Sequence, residues 1–176
     1  NYKYFLEYKH DLDIMFTPKN ELIDNSNPLI DKIKNSNSIS LHIRRNRFSD
    51  QYKLKTDRNI QKSKIFTEKI IDYINNSIDI IESKVSNPEY FIWSNDHIGI
   101  DNLLCKLKIS KYTIVNNNVI NDFNLFRYCK HFIVSPSSFH WWGAWLNNNS
   151  DKICIRPSNI NPSNNENFWP EDWMTI

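Results

Sequence analysis

Arginines, serines and one aspartate in this 176-residue chain occur in three short clusters, each directly after an apolar run. The clusters are His42-Ile43-Arg44-Arg45, Ser94-Asn95-Asp96 and Ser135-Pro136-Ser137-Ser138. Arginine suits phosphate because its planar guanidinium donates two parallel hydrogen bonds to phosphate oxygens. Serines at the start of a helix add hydroxyls and backbone amides that favour an anion. These residue types therefore indicate a site for a phosphate-bearing ligand.

The third cluster lies inside the most informative stretch of the chain, residues 122 to 147. This stretch predicts a helix that ends near Cys129, a buried strand at residues 132 to 134, and a second helix with Phe139, Trp142, Trp145 and Leu146 at helical spacing. Proline ends the strand because it has no amide hydrogen and restricts the residue before it. Ser137 or Ser138 can cap the second helix. The alternative to an anion site is that these serines only cap a core helix.

The remaining elements are predicted from apolar periodicity and turn residues. A long helix is predicted from Lys64 to Val85, and residues 48 to 62 are predicted to be a loop with one helical turn. Asp96 can cap the next helix, whose core positions are Ile100, Leu103, Leu104 and Leu107, and it can accept the ring amide and amino protons of guanine; the two roles are not exclusive. Further strands are predicted at residues 39 to 43, 90 to 93, 112 to 115 and 152 to 155.

Strands and helices alternate along the chain, which predicts an α/β fold with a Rossmann-like parallel sheet and helices on both faces. The carboxyl ends of parallel strands meet at one edge, so the three clusters should lie together there. Residues 1–37 are interpreted as a helical arm, with a second short helix near residues 29 to 33. Residues 38–176 form one predicted domain, on which the aromatic tail from Phe168 to Trp173 packs.

Composition excludes several classes of function. A net charge of +2 does not favour nucleic acid or an acidic membrane, and two glycines exclude a glycine-rich phosphate loop. No apolar run is long enough to span a membrane. Cys105, Cys129 and Cys154 are predicted to be buried free thiols, which excludes a disulfide framework and favours the cytoplasm. No ligand spacing indicates a zinc site, so no metal is expected.

The same motifs resemble the α-1,2-fucosyltransferases of glycosyltransferase family 11. The resemblance rests on His42-x-Arg44-Arg45, on Phe91-x-x-Ser94-x-Asp96, and on the segment from Cys129-x-His131 to Leu146 with its Trp141-Trp142-Gly143 core. It covers roughly residues 38 to 176. The family implies a two-domain GT-B architecture, of which this chain resembles the C-terminal, donor-binding half. It also implies GDP-fucose as donor, no metal or other cofactor, and transfer with inversion to a galactose hydroxyl of a glycan acceptor.

The resemblance assigns roles to individual residues. Arg44 would bind the β-phosphate and stabilise the departing GDP, with Arg45 in support. His42 would contact phosphate or ribose, and Asp96 would read guanine within the donor-binding segment that includes Ser94 and Asn95. The phosphate would also be held by Ser137, Ser138 and the amide of Phe139.

The chain departs from the family pattern in three places. Asn46-Arg47 replaces the usual Gly-Asp, with Asp50 nearby but out of register, and Asn95 replaces an aspartate. An N-terminal Gly-Gly-x-Gly-Asn-Gln segment is absent, so a missing N-terminal domain is expected to complete the cleft. A catalytically inactive nucleotide-sugar-binding domain and a transferase for another GDP-sugar, such as GDP-mannose, remain alternatives. A nucleic-acid binder is a third, which the near-neutral charge disfavours.

Overall fold

A single parallel sheet organises the computed structural model, which describes residues 1–49, 51–158 and 166–176. Within these residues six strands pair in the order β3-β2-β1-β4-β5-β6, and every neighbouring pair is parallel. This is the strand order of a Rossmann-type sheet, and it confirms the predicted fold class. The strands are β1 Asn37–Ile43, β2 Pro88–Ser94, β3 Tyr112–Ile114, β4 His131–Ile133, β5 Cys154–Arg156 and β6 Met174–Thr175.

Five of these strands were predicted, and their ends differ from the prediction by two residues or fewer. The sixth, β6, was missed because a two-residue strand has no periodicity to detect. It pairs with β5 at the edge of the sheet. Trp169 and Trp173 are buried beside it, which confirms that the aromatic tail packs back on the domain.

Helices cover both faces of the sheet. The longest, α3, begins at Asp57, about two turns before the predicted start, so the predicted loop was wrong from that residue onward. The side chain of Thr56 accepts a hydrogen bond from the Asn59 amide and caps a polar first turn, which carries little apolar periodicity. The helices are α1 Lys9–Phe16, α2 Leu29–Asn35, α3 Asp57–Lys84, α4 Asp101–Leu104, α5 Val119–Tyr128 and α6 Ser138–Leu146.

Alternate residues of β1 enter two separate cores. Ile39, Leu41 and Ile43 pack with the apolar stripe of α3, which confirms the structural role predicted for that helix. The opposite face packs against α5 and α6 through large aromatic side chains, including Phe91, Trp93, Phe126, Phe132 and Trp141. On that second face β1 places Ser38, Ser40 and His42, all of them buried. The strand therefore carries polar groups into an otherwise aromatic core.

Residues 1–37 contact the α5–α6 layer. Ile30 and Ile33 of α2 are buried in the aromatic core, and α1 places Phe16 against Trp142 with ring centroids 4.8 Å apart. The two helices predicted for this segment are present, together with short 3₁₀ turns at Tyr2–Phe5 and Asn20–Leu22. The domain boundary at residue 38 stays a prediction.

All three cysteines are free thiols. Cys129 and Cys154 are buried as predicted, and burial raises the pKa of both thiols. The prediction was wrong for Cys105, which is exposed because it follows the short helix α4 at the surface. Across the described ranges, none of the helices has the length and apolar character that a membrane span requires.

Candidate functional site

The predicted site residues lie where the order of the strands in the sheet reverses. The chain runs from β1 to β2 and β3 on one side and then returns to place β4 on the other side of β1. Crevices at such switch points, outside the carboxyl ends of the strands, are the usual ligand sites of open α/β sheets. The clusters at His42 to Arg45, Ser94 to Asp96 and Ser137 to Phe139 lie at or just after the ends of β1, β2 and β4, and β1 pairs with both of the other strands.

His42 joins the ends of β1 and β4. Its Nδ1 lies 2.7 Å from the hydroxyl of Ser135, and only 6% of the residue is exposed. Burial, with smaller contributions from the charges of Arg44 and His97, lowers the pKa of His42 to about 3. The imidazole is therefore neutral at physiological pH, and it can offer a hydrogen bond but no charge to a ligand.

A second buried pair of a histidine and a serine lies beside the pair of His42 and Ser135. The hydroxyl of Ser40 is 2.8 Å from Nε2 of His140, and the rings of His140 and His42 have centroids 5.4 Å apart. Burial lowers the pKa of His140 well below its ordinary value. Sequence reasoning placed Ser135 in the third cluster without giving it a role of its own, and it missed His140. The available signals were the polar alternation along β1 and a single histidine in an otherwise apolar helix.

Arg45 clamps the loop after β1 to the loop after β2. Its amide donates to Asn95 Oδ1 at 2.6 Å, and the Asn95 side chain returns a bond to the Arg45 carbonyl at 3.0 Å. Its Nη1 donates to the carbonyls of Asp96 at 2.9 Å and Ile98 at 2.7 Å. These contacts align the two strand ends, while the predicted support of Arg44 at phosphate stays a prediction.

Asp96 is held by its own loop and by Asn46. One carboxylate oxygen accepts the Ile98 amide at 3.0 Å, and the other accepts the Asn46 side-chain amide. The prediction that Asp96 caps the next helix is wrong. That helix, α4, begins at Asp101 with Ile100 at its N-cap position, and no side chain of the described residues caps it. Each carboxylate oxygen keeps a lone pair for a further donor, so the predicted contact with guanine stays open.

The replacement of Gly-Asp by Asn46-Arg47 has a conformational basis at its first position. Asn46 has φ +50°, in the left-handed region that favours glycine and that asparagine tolerates better than most residues. Arg47 donates from Nη1 to the Pro136 carbonyl at 3.0 Å, so it contacts the loop after β4. Asp50, the acid nearest to this motif in the sequence, lies outside the described residues.

Residues 135–138, which we call the serine turn, lead into α6. Ser137 occupies the N-cap position, but its hydroxyl makes no cap hydrogen bond within the part of the chain that the structure describes. Its amide instead donates to the Ser135 carbonyl at 2.7 Å. The first amides of α6 have no carbonyl of their own helix to bind, and they lie at the carboxyl edge of the sheet. Hydroxyls and amides of the serine turn can therefore bind an anion.

An apolar cavity of about 350 Å³ lies at the same edge. The helices α5 and α6 each connect one parallel strand to the next, so both begin at the carboxyl edge, and their first turns line this cavity. The end of α1 and the segment after it form the opposite wall. The lining residues are Met15, Phe16, Thr17, Pro18, Leu22, Val119, Ile120, Phe123, Phe139 and Trp142.

Comparison with known proteins finds related sequences for nearly the whole chain. The family profile described as glycosyl transferase family 11 matches residues 3–176. An alpha-1,2-colitosyltransferase of Escherichia coli is 31% identical over 100% of this chain and 60% of its own length. The O-antigen biosynthesis glycosyltransferase WbnK of Escherichia coli is 30% identical over 81% of this chain and 46% of its own length. The chain thus spans less than two thirds of either relative. No solved structure matches it significantly.

Proposed function

Because the chain belongs to glycosyl transferase family 11, we propose that it binds a GDP-sugar at the carboxyl ends of β1, β2 and β4 and provides the donor site of a glycosyltransferase. The observation that carries the proposal is the convergence of Arg44, Asp96 and the serine turn at the switch point of the sheet. The motif residues of three separate segments would thereby form one site.

The proposed chemistry is transfer with inversion. An acceptor hydroxyl attacks the anomeric carbon on the face opposite the nucleotide, the bond from that carbon to the phosphate oxygen breaks, and GDP leaves with the bonding electrons. Negative charge then grows on the β-phosphate. Guanidinium and helix-end amides stabilise such charge, so Arg44 and the amides of Ser138 and Phe139 would do so here. The hydroxyl proton passes to a base to which no residue is assigned.

Asp96 would select the base of the donor. A carboxylate can accept two parallel hydrogen bonds from the ring amide and amino group of guanine, and uracil lacks that pair of donors. Asn46 and the Ile98 amide would hold the carboxylate in position for this contact. His42, being neutral, would bind phosphate or ribose through a hydrogen bond alone.

We infer fucose as the transferred sugar and a galactose 2-hydroxyl of a glycan as its acceptor, from the resemblance of the motifs to α-1,2-fucosyltransferases. Colitose is a second candidate, favoured by the similarity to an alpha-1,2-colitosyltransferase. The change to Asn46-Arg47 favours a third, a domain that binds the nucleotide sugar without transferring it. All three candidates share the donor site, and they differ in the sugar that is bound or in whether it is transferred.

A further domain would complete the cleft. Both relatives are considerably longer than the matched region. Ile14, Met15 and Val119 are each more than 60% exposed beside the apolar cavity. Contiguous exposed apolar surface of this kind marks an interaction site. We propose that the second domain of the GT-B architecture packs against this face.

No metal is expected in the mechanism. Among the described residues, no three His, Cys, Asp or Glu side chains lie close enough to hold an ion. Metal independence stays a prediction, and a chelator tests it directly.

The proposal is tested by calorimetric titration of the chain with GDP, GDP-fucose, GDP-linked colitose, GDP-mannose and UDP, with and without chelator. We expect GDP and one GDP-deoxysugar to bind regardless of chelator and UDP to bind weakly. Arg44→Ala should weaken GDP binding by about 100-fold, since a charge-assisted contact to phosphate is lost. Arg58→Ala removes an exposed arginine of α3 and is the matched control. Equal binding of GDP and UDP, or full GDP affinity in Arg44→Ala, would contradict the proposal.

A further inference from the structure

Arg47 contacts the serine turn from the neighbouring loop. Its Nη1 donates to the Pro136 carbonyl at 3.0 Å, and its guanidinium carbon lies 5.5 Å from the ring centre of Phe66 and 6.0 Å from that of Phe48. The side chain is half-buried. Two aromatic rings thus orient a rigid, charged donor toward one carbonyl oxygen of the turn.

The serine turn lies beyond the ladder of β4. Among the described residues, the last hydrogen bond between this end of β4 and β5 runs from the Val134 amide to the Ile155 carbonyl at 2.9 Å. Pro136 has no amide hydrogen with which to continue the ladder. Within the described ranges, the contacts that hold the turn include Ser135 with His42, the Ser137 amide with the Ser135 carbonyl, and Pro136 with Arg47. Of these, the Arg47 contact is the one with a permanent charge.

The two neighbours of Asn46 contact opposite sides of the site. Arg45 donates to the loop after β2, and Arg47 donates to the loop after β4. Asn46 lies between them in a left-handed conformation and donates to Asp96. One short segment after β1 therefore sets the distance between the loop proposed to read guanine and the turn proposed to bind phosphate.

We propose that Arg47 is a positioning residue, which holds the serine turn in its anion-binding conformation without contacting the donor. The inference rests on the proposed function, because it assigns the serine turn to the phosphates. It also gives a role to a residue at which this chain departs from the usual arginine motif. A direct phosphate contact by Arg47 is the competing explanation. Only the positioning role predicts that removal of Arg47 loosens the serine turn in the ligand-free protein.

Hydrogen exchange in the ligand-free protein separates them. We would compare the wild type with Arg47→Met, which keeps the apolar stem, and Arg47→Lys, which keeps the charge but loses the planar fork. Exchange at the amides of Ser137 and Trp141, which donate to the carbonyls of Ser135 and Ser137, should become about tenfold faster in Arg47→Met, since a charge-assisted hydrogen bond is lost. Arg47→Lys should give an intermediate rate, and Arg58→Met should match the wild type. Unchanged exchange in both Arg47 variants would overturn the inference, whatever their affinity for nucleotide.

Binding of GDP and guanosine completes the test. Affinity for GDP should fall about tenfold in Arg47→Met, with guanosine affinity unchanged, because the turn concerns only the phosphates. Equal losses for GDP and guanosine, with a lower unfolding temperature, would show a general structural role and overturn the inference. A wild-type chain that binds no GDP would refute the proposed function instead, and hydrogen exchange would still decide whether Arg47 holds the turn.

Discussion

Two buried histidines lie directly behind the arginines of the candidate site. His42 and His140 are each at most 6% exposed, and each has a serine hydroxyl within hydrogen-bond distance. Their burial excludes the protonated form, so neither adds positive charge to the site at neutral pH. Positive charge there comes from the arginines and the helix end. The serine partners fix the rings in orientation.

These histidines predict how stability depends on pH. The pKa of His42 falls from an ordinary 6.5 to about 3 on folding, so the unfolded chain binds more protons between those values. The contribution of His42 to the free energy of unfolding is therefore fully present above pH 6.5, and it is lost as the pH falls toward 3. The slope should approach about 1.4 kcal/mol per pH unit for each buried histidine. Urea unfolding at pH 8, 7, 6 and 5 measures it. Equal stability at pH 8 and pH 5 would contradict the assignment.

Contacts between elements, rather than single side chains, align the sheet and the helices that form the site. Tyr73 of α3 places its hydroxyl 3.0 Å from the Val134 carbonyl and 2.7 Å from the Ile155 carbonyl. It thereby ties α3 to the ends of β4 and β5, just before the serine turn. On the other face, α5 and α6 approach closely at Gly143. The first contact holds the strand ends, and the second sets the spacing of the two helices.

Tyr73→Phe should destabilise the chain by about 1–2 kcal/mol, because two buried carbonyls lose their hydroxyl partner. Chemical denaturation measures the change in the free energy of unfolding. Tyr112→Phe removes a hydroxyl from an exposed residue of β3 and should leave stability unchanged. Equal effects of the two substitutions would show that the Tyr73 hydroxyl does not connect these elements.

Gly143→Ala tests the helix contact. A Cβ at residue 143 would lie 3.0 Å from Cβ and 3.2 Å from Cδ2 of Phe126, and a Cβ of a helix cannot move away alone. Overpacking costs about 1–3 kcal/mol, against a gain of up to about 1 kcal/mol in helix propensity. We expect a net loss in thermal stability. Asn76→Ala, at an exposed position of α3, is the control for a propensity gain without a packing contact, and the gain there should be smaller than that of Gly→Ala. A stabilised Gly143→Ala variant would contradict the close approach.

At the scale of the whole molecule, the two sides of the carboxyl edge differ in chemistry. One side carries arginines, serines and Asp96, and the other carries the apolar cavity between α1, α5 and α6. An arrangement with a polar site beside an apolar face suits a domain that closes a cleft with a second one. Burial of this apolar face would drive the proposed packing of a second domain.

The apolar cavity should bind a hydrophobic dye such as ANS in the isolated chain. Met15→Lys should reduce dye fluorescence without lowering the unfolding temperature, because Met15 is 77% exposed and lines the cavity. Ile98→Lys is the matched control, since Ile98 is 85% exposed in the loop after β2 and does not line the cavity. The same fluorescence in both variants would show that the cavity does not bind the dye.

The sequence by itself determined the alternation of strands and helices, the parallel fold class and the three polar clusters at strand ends. These depend on residues close in the chain, through periodicity, turn residues and β-branched runs. It also indicated the family, because the motifs are local. The polar first turns of α3 and the two-residue strand β6 were missed, since neither has a strong periodic signal.

Only the tertiary structure decided which side chains meet. The pairing of His42 with Ser135 spans 93 positions, and that of Arg47 with Pro136 spans 89. Such contacts arise from the strand order, which places β4 beside β1, and from the left-handed turn at Asn46. Local propensity predicts neither the strand order nor this turn, because both depend on how distant segments share one core and on where each loop leaves the sheet.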